Sequence, residues 1–147
     1  MRRLYTVAQA NATLPYVSRI AADITSTYEE WHRKVAEFEI LALEDEPEGG
    51  VSAAANAAQK RVQELAAEID EFTDELAALG VECRGLEEGL LDFPAVVDGE
   101  DAWLCWRPGE PSVAWWHGRE DGFAGRRSLA DAEVLDPEAA GAVTRDA

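Results

Sequence analysis

The sequence predicts an α+β fold: a long antiparallel helical hairpin packed on a three- or four-stranded antiparallel β-meander. Three observations predict it. Two apolar seams with three-four spacing occupy the first half and are separated by a proline- and glycine-bearing loop. Short apolar runs punctuated by turn residues come after Gly80, with no helix-length segment between them. The whole runs to 147 residues, which suits one domain able to bury its own core.

Taken in order, Thr6 before VAQANATL reads as the N-cap of a short helix that ends at Pro15 or merges into the next one. Pro15 itself suits a first helical turn, where its missing N–H costs nothing. From there Val17, Ala21, Ile24, Tyr28, Trp31, Val35, Phe38 and Ala42 form a heptad seam. Pro47, Gly49 and Gly50 in the segment Glu44–Ser52 break the helix, and Ser52 caps the second one. The second seam is Ala55, Ala58, Val62, Leu65, Ile69, Phe72, Leu76 and Leu79, closed by Gly80. Two such seams on a short loop bury each other by folding back. Each helix spans roughly 40 Å at 1.5 Å per residue. Small residues near the loop and large ones far from it make the hairpin narrow at its tip and wide at its base. The hairpin is expected over residues 14–80, the meander over 81–127 and an acidic tail over 128–147.

Val81–Arg84 is a candidate first strand, Leu90–Val97 a second, Ala102–Arg107 a third and Ser112–His117 a fourth. Asp98-Gly99 is a two-residue hairpin signal, and PGEP is a turn cluster. Absence of crossover helices excludes a parallel sheet. Alternation then sorts side chains into two faces. Leu91, Phe93, Ala95, Leu104, Trp106, Val113, Trp115 and His117 fall on an apolar face. Asp92, Pro94, Val96, Trp103, Cys105, Arg107, Ala114 and Trp116 fall on a chemically mixed one. The segment Gly122–Gly125 reads as an ordered loop anchored by Phe123, and the chain from Pro137 onward as a weak helix or frayed end.

Five blocks along this stretch, Gly89-Leu90-Leu91-Asp92-Phe93-Pro94, Leu104-Cys105-Trp106, Gly109-Glu110, Trp116-His117 and Gly122-Phe123-Ala124-Gly125-Arg126, resemble the signature of the prokaryotic Domain of Unknown Function family numbered 2203. The N-terminal YTVAQANATLP is similar to that family's start. Leu91 stands where the family pattern has valine. The resemblance implies shared fold and a bacterial cytosolic setting; it brings no activity with it.

Composition narrows the function classes. A net charge of -17, from 30 acidic against 13 basic residues, repels phosphate backbones, so neither nucleic acid nor an anionic membrane surface is an expected partner. No apolar run approaches the ~20 residues of a membrane span, and no apolar core follows the N-terminal arginines, so the expected location is the cytoplasm. Cys83 and Cys105 form no disulfide framework and match no zinc spacing, so no metal set is assigned and the cofactor is left open. Phosphate-binding glycine loops do not occur.

The candidate site residues are Asp92, Trp103, Cys105, Glu110, Trp116, His117 and Arg126. Asp92, in an apolar strand, is either a general base or ligand carboxylate, or else one half of a cross-strand pair with Arg107 or a turn-capping carboxylate. His117 is either an acid–base group or metal ligand with Asp121, Glu110 or Asp92 in reach, or a satisfied strand-end histidine. Arg126 forks onto a ligand carboxylate or onto Asp92 or Asp121. Cys105 acts as a nucleophile only with a cationic neighbour such as Arg107 or His117 lowering its pKa; otherwise it is a small apolar residue. Trp103 and Trp116 are expected side by side, as a platform that stacks a ligand ring, captures a cation or makes a subunit contact. Glu29 and His32 have the Glu-x-x-His spacing of di-iron bundles, but a single copy falls short of that site. The leading expectation is a non-enzymatic protein-interaction or assembly module, with a homodimer covering the under-packed hairpin base and tryptophan face. The alternative is a small-molecule or metal site, with or without catalysis, on the Asp92/His117/Arg126 face.

Overall fold

The computed structural model describes residues 3–44 and 49–139. Helix α1 runs Val7–Leu43, helix α2 runs Ala53–Ala78, and a five-stranded antiparallel sheet comes next, its strands in the order of the chain. These are β1 (Glu82–Arg84), β2 (Leu90–Val97), β3 (Glu100–Trp106), β4 (Trp115–Gly118) and β5 (Arg127–Ser128). The architecture is the expected α+β hairpin on a meander, with one strand more than foreseen.

Of the two alternatives at Pro15, the helix merges into the next one. Thr6 caps α1 through a reciprocal box with Gln9, and Pro15 lies inside the helix rather than at its start. Burial of Ala10, Leu14 and Val17 along a single stripe holds the helix through the missing amide of Pro15. The hairpin therefore begins at Val7, not at residue 14, and α1 reaches roughly 55 Å against about 39 Å for α2. Two side-chain links set the helix pairing: Tyr16 with Glu75, and Arg61 with Glu30. Both pairs of numbers sum to the same value, which is the signature of an antiparallel register. Ser52 caps α2 as expected. Of the connecting loop, residues 45–48 lie outside the described residues.

Only part of the hairpin lies on the sheet. Val17, Ala21 and Ile24 of α1 are buried in one core with Leu76 of α2 and with Leu91, Phe93 and Leu104 of the sheet. Beyond Ile24 the seam residues Tyr28, Trp31, Val35 and Phe38 are half-buried, and of these Tyr28 still borders a groove shared with Arg84, Leu86 and Phe123. Tyr5, ahead of α1, is fully buried and meets Phe93 edge-on at 5.3 Å; the sequence offered no periodicity to place it.

The meander is built on its turns. Asp98 and Gly99 both have positive φ (51° and 83°), as a two-residue hairpin demands. In the resulting register Asp92 faces Cys105, Phe93 faces Leu104 and Pro94 faces Trp103. Beyond Asp92, the outer edge of β2 is closed by segments distant in sequence. Tyr5 donates its amide to Pro94 (2.8 Å), Leu135 donates to Val96 (2.9 Å), and Val134 bridges Val97. The expected acidic tail from residue 128 thus starts later, because residues up to Leu135 are tied to the sheet; residues 140–147 lie outside the described residues.

β4 departs from expectation in a way that matters for the site. It begins at Trp115, not Ser112, and pairs Trp103 with His117 and Leu104 with Trp116. His117 and Trp115 therefore share the mixed face with Asp92 and Trp103, and Trp116 turns to the apolar side, packing on the core. The cause is Val113. Its side chain is buried in the core, and its backbone is held by Asn11 of α1, whose Oδ1 accepts the Val113 N–H at 2.7 Å. The segment between Val113 and Trp115 is irregular and shifts the alternation by one residue.

Candidate functional site

The mixed face gathers a carboxylate, a thiol and an imidazole. Asp92 on β2 and Cys105 on β3 are direct partners across the ladder, and His117 on β4 lies one row along. His117 reaches over Cys105 to Asp92, which requires a small side chain on the middle strand. All three are withdrawn from solvent: Asp92 is 1% exposed, Cys105 1% and His117 4%. His117 Nε2 lies 3.1 Å from both carboxylate oxygens of Asp92, and Nδ1 lies 2.9 Å from the carbonyl oxygen of Gly118. A carbonyl has no proton to give, so Nδ1 carries one and donates it; Nε2 is the atom left to address Asp92.

A guanidinium completes the first ring of contacts. Arg84 of β1 donates Nε–H to Asp92 Oδ2 at 3.2 Å and lies 5.0 Å from the centre of the Trp103 ring. The expected Asp92–Arg107 pair does not form; Arg107 instead lies 5.8 Å from the Phe123 ring, and its amide is capped by Glu110 at 2.7 Å. Burial pushes the Asp92 carboxyl above its usual range, outweighing the opposing pull of His117 and Arg84. Burial, reinforced by the Asp92 carboxylate, pushes the Cys105 thiol up to about 12, while Arg126 opposes the shift. Cys105 in this setting is a protonated thiol rather than an activated nucleophile. Cys83, on β1, is likewise pushed up to about 11 by burial.

Above these groups is a cavity of about 210 Å³, lined also by Leu90, Arg119, Glu120, Gly122 and Phe123. The loop that roofs it is shaped by two glycines. Asp121 accepts the Gly118 N–H at 3.3 Å, and a Cβ on Gly118 or Gly125 would come within 2.7 Å of the Asp121 side chain. The spacing of glycines around Asp121 therefore positions Phe123 over the cavity.

The remaining candidates fall elsewhere. Arg126 lies between the Trp115 and Phe123 rings, 4.6 Å from each centre, and pairs with Glu110 instead of Asp92 or Asp121. Its Nη1 is buried with no hydrogen-bond partner among the described residues. Trp103 borders the site through Arg84. Trp116 is on the opposite face, so the expected Trp103–Trp116 platform does not exist. Glu29 pairs with Arg33, and both Glu29 and His32 are exposed on α1. Sequence reasoning missed Arg84 because a three-residue strand gives too little alternation to assign a face, and missed Trp115 for the phase shift at Val113.

Among the described residues no helix is long and apolar enough to cross a membrane. In comparison with known proteins, residues 3–129 match the family described as "Uncharacterized conserved protein (DUF2203)". No curated protein and no solved structure matches the chain.

Proposed function

We propose that this chain, which belongs to the DUF2203 family over residues 3–129, binds a small polar ligand in the cavity above Asp92, Cys105 and His117. One observation supports the reading above the others: three groups of different chemistry, none more than 4% exposed, converge from three strands on the floor of one cavity. A purely structural sheet has no need to bury a carboxylate and an imidazole together, because each costs free energy to desolvate. The cavity volume, about 210 Å³, is below the range of roughly 300–1,000 Å³ typical of drug-sized ligands, so the ligand is small. Arg84 and Arg119 at the mouth suit an anionic group on it. Asp92 and His117 between them can hold one proton against the ligand or release it.

The reading is tested by nuclear magnetic resonance on the metal-free protein. A panel of small carboxylic acids, amino acids and phosphate esters is titrated in, and the amide shifts of Arg84, Cys105, Gly118 and Gly122 are monitored. Saturable shifts confined to these residues are the expected result. A panel that moves nothing there, or moves residues all over the surface, overturns it.

A second reading, assembly through the hairpin, is favoured by one separate feature. Ile40 (59% exposed), Leu43 (86%) and Val51 (54%) lie at the hairpin's far end, beyond the reach of the sheet. A second copy covering these tips makes a homodimer, and native mass spectrometry of wild type against Leu43→Glu distinguishes it: a dimer is expected for the first and a monomer for the second. A wild type that is monomeric at all concentrations removes this reading.

A further inference from the structure

Asp92, Cys105 and His117 each offer one donor atom, and the three donors lie within 4.8 Å of one another. Among the described residues this is the one group of histidine, cysteine and acidic side chains so arranged. A tetrahedral zinc ion with bonds of 2.0–2.3 Å holds its donors roughly 3.3–3.8 Å apart, so closing on an ion asks for about an ångström of side-chain movement. We infer that the floor of the cavity is a divalent transition-metal centre of the zinc class, ligated by a carboxylate oxygen of Asp92, Cys105 Sγ and His117 Nε2, with a fourth position open to the cavity. The inference rests on the cavity being a binding site and names what anchors its ligand.

Four features carry it. The Nδ1–H of His117 is committed to the Gly118 carbonyl, which fixes the ring and turns Nε2 inward; histidine ligands use this outer contact in the same way. Nε2 faces both carboxylate oxygens at 3.1 Å, so once the proton shared across that contact is lost three acceptors converge on a point that suits a divalent cation. Arg84 holds Oδ2 and leaves Oδ1 to bind, which is the outer-sphere support expected for a ligating carboxylate. Cys105 supplies the soft donor. Without metal the Cys105 thiol hydrogen-bonds Asp92 beside the Asp92–His117 pair, so the three groups already converge on one carboxylate, and a metal would use all three as ligands. Mixed nitrogen, oxygen and sulfur donors select zinc, cobalt or a similar ion over magnesium and calcium, which take oxygen alone.

Binding is written without redox change: the divalent ion enters, the Cys105 S–H proton and the proton shared by His117 Nε2 and Asp92 are both released to solvent, and bonds from the metal to sulfur, nitrogen and oxygen form. With Asp92 ionised and His117 neutral, the centre is then electrically neutral. Three protein ligands and an open position facing a cavity are the pattern of sites that bind water or substrate at the metal, not of closed structural sites.

The test uses the full chain, freed of metal by a chelator, and Co²⁺ and Zn²⁺ as probes. One equivalent of Co²⁺ is expected to give a near-ultraviolet thiolate-to-cobalt charge-transfer band, and Zn²⁺ is expected to bind at one equivalent and displace it. Cys105→Ser should abolish the band, and His117→Gln should weaken Zn²⁺ binding at least tenfold, the loss expected from removing a ligand or its support. Acid-rich helices attract cations weakly at many places, but they cannot produce a thiolate band. Glu29→Gln with His32→Ala should leave both readouts unchanged. Wild-type protein with no charge-transfer band overturns the inference, whether or not the variants fold, as does one-equivalent binding that survives Cys105→Ser and His117→Gln intact. If the metal-free protein still shows saturable shifts at Arg84 and Gly118 with a small anion, the metal centre alone is wrong; if neither occurs, the binding site falls too.

Discussion

The two faces of one sheet use the same strands to opposite ends. On the side of α1, Leu91, Phe93, Ala95 and Leu104 are buried among aliphatic and aromatic neighbours, and stability there is area removed from water. On the other side, Asp92, Cys105 and His117 are buried among polar partners, and every group depends on a specific contact. The first face tolerates changes that preserve volume. The second has its geometry dictated atom by atom, down to the choice of which imidazole nitrogen donates. Burial alone does not separate them; what they are buried with does.

Four perturbations sharpen the contrast. Phe93→Ala removes a fully buried ring from the dry face and should cost about 3–5 kcal/mol, measured by denaturant unfolding, with the amide shifts around Asp92 little changed in the folded fraction. An equal disturbance of the Asp92 surroundings would mean that the faces are not independent. Asn11→Ala leaves the Val113 N–H unpaired beneath the sheet and should cost about 1–3 kcal/mol. Because Asn11 helps set the phase of β4, this variant should also move the His117 ring resonances, a link that no other dry-side substitution should reproduce.

The third perturbation is pH. Cys105 ionises at about 12 in the fold, pushed up by burial and by Asp92 and Glu110 against Arg126, and near 9 when unfolded. Between those values the folded state binds more protons than the unfolded state, so stability falls as pH rises above about 9, by up to about 1.4 kcal/mol per unit from this group. The slope should be absent below about pH 8 and shallower in Cys105→Ala; an identical slope in that variant would place the thiol in water. Smallest is Arg107→Ala, which loses an exposed contact with Phe123 and should cost about 0.5 kcal/mol in thermal unfolding.

How much of this was legible in the sequence depends on the same contrast. Val17, Ile24, Leu65 and Leu76 declared themselves by spacing, because a helix buries a stripe at fixed intervals. Leu91, Phe93 and Leu104 did so by alternation, and Asp98-Gly99 by the positive φ that the turn needs. The grouping of Asp92 with Cys105 came from the same parity. His117 did not, since its face depends on Val113 being captured by Asn11, a contact between opposite ends of the chain that no local pattern encodes. Arg84 was hidden by the brevity of β1. Pro15 left the start of the hairpin undecided for a different reason: the rule that it starts or stops a helix is a local one, and the stripe through Ala10, Leu14 and Val17 overrides it. Periodic features could be read; those created when distant segments meet could not.

The edge of β2 carries a further consequence, for how the molecule is made. Strand Leu90–Val97 is sealed on its outer side by Tyr5, by Glu82–Arg84 and by the stretch around Val134. During synthesis the first two seals are available as soon as the strand leaves the ribosome, but the last is some forty positions behind it. Until that segment arrives, Val96 and Asp98 present bare amides and carbonyls to any passing chain. The nascent protein is therefore most vulnerable to sticking just before the stretch around Val134 emerges, and docking of that stretch is the event that ends the danger.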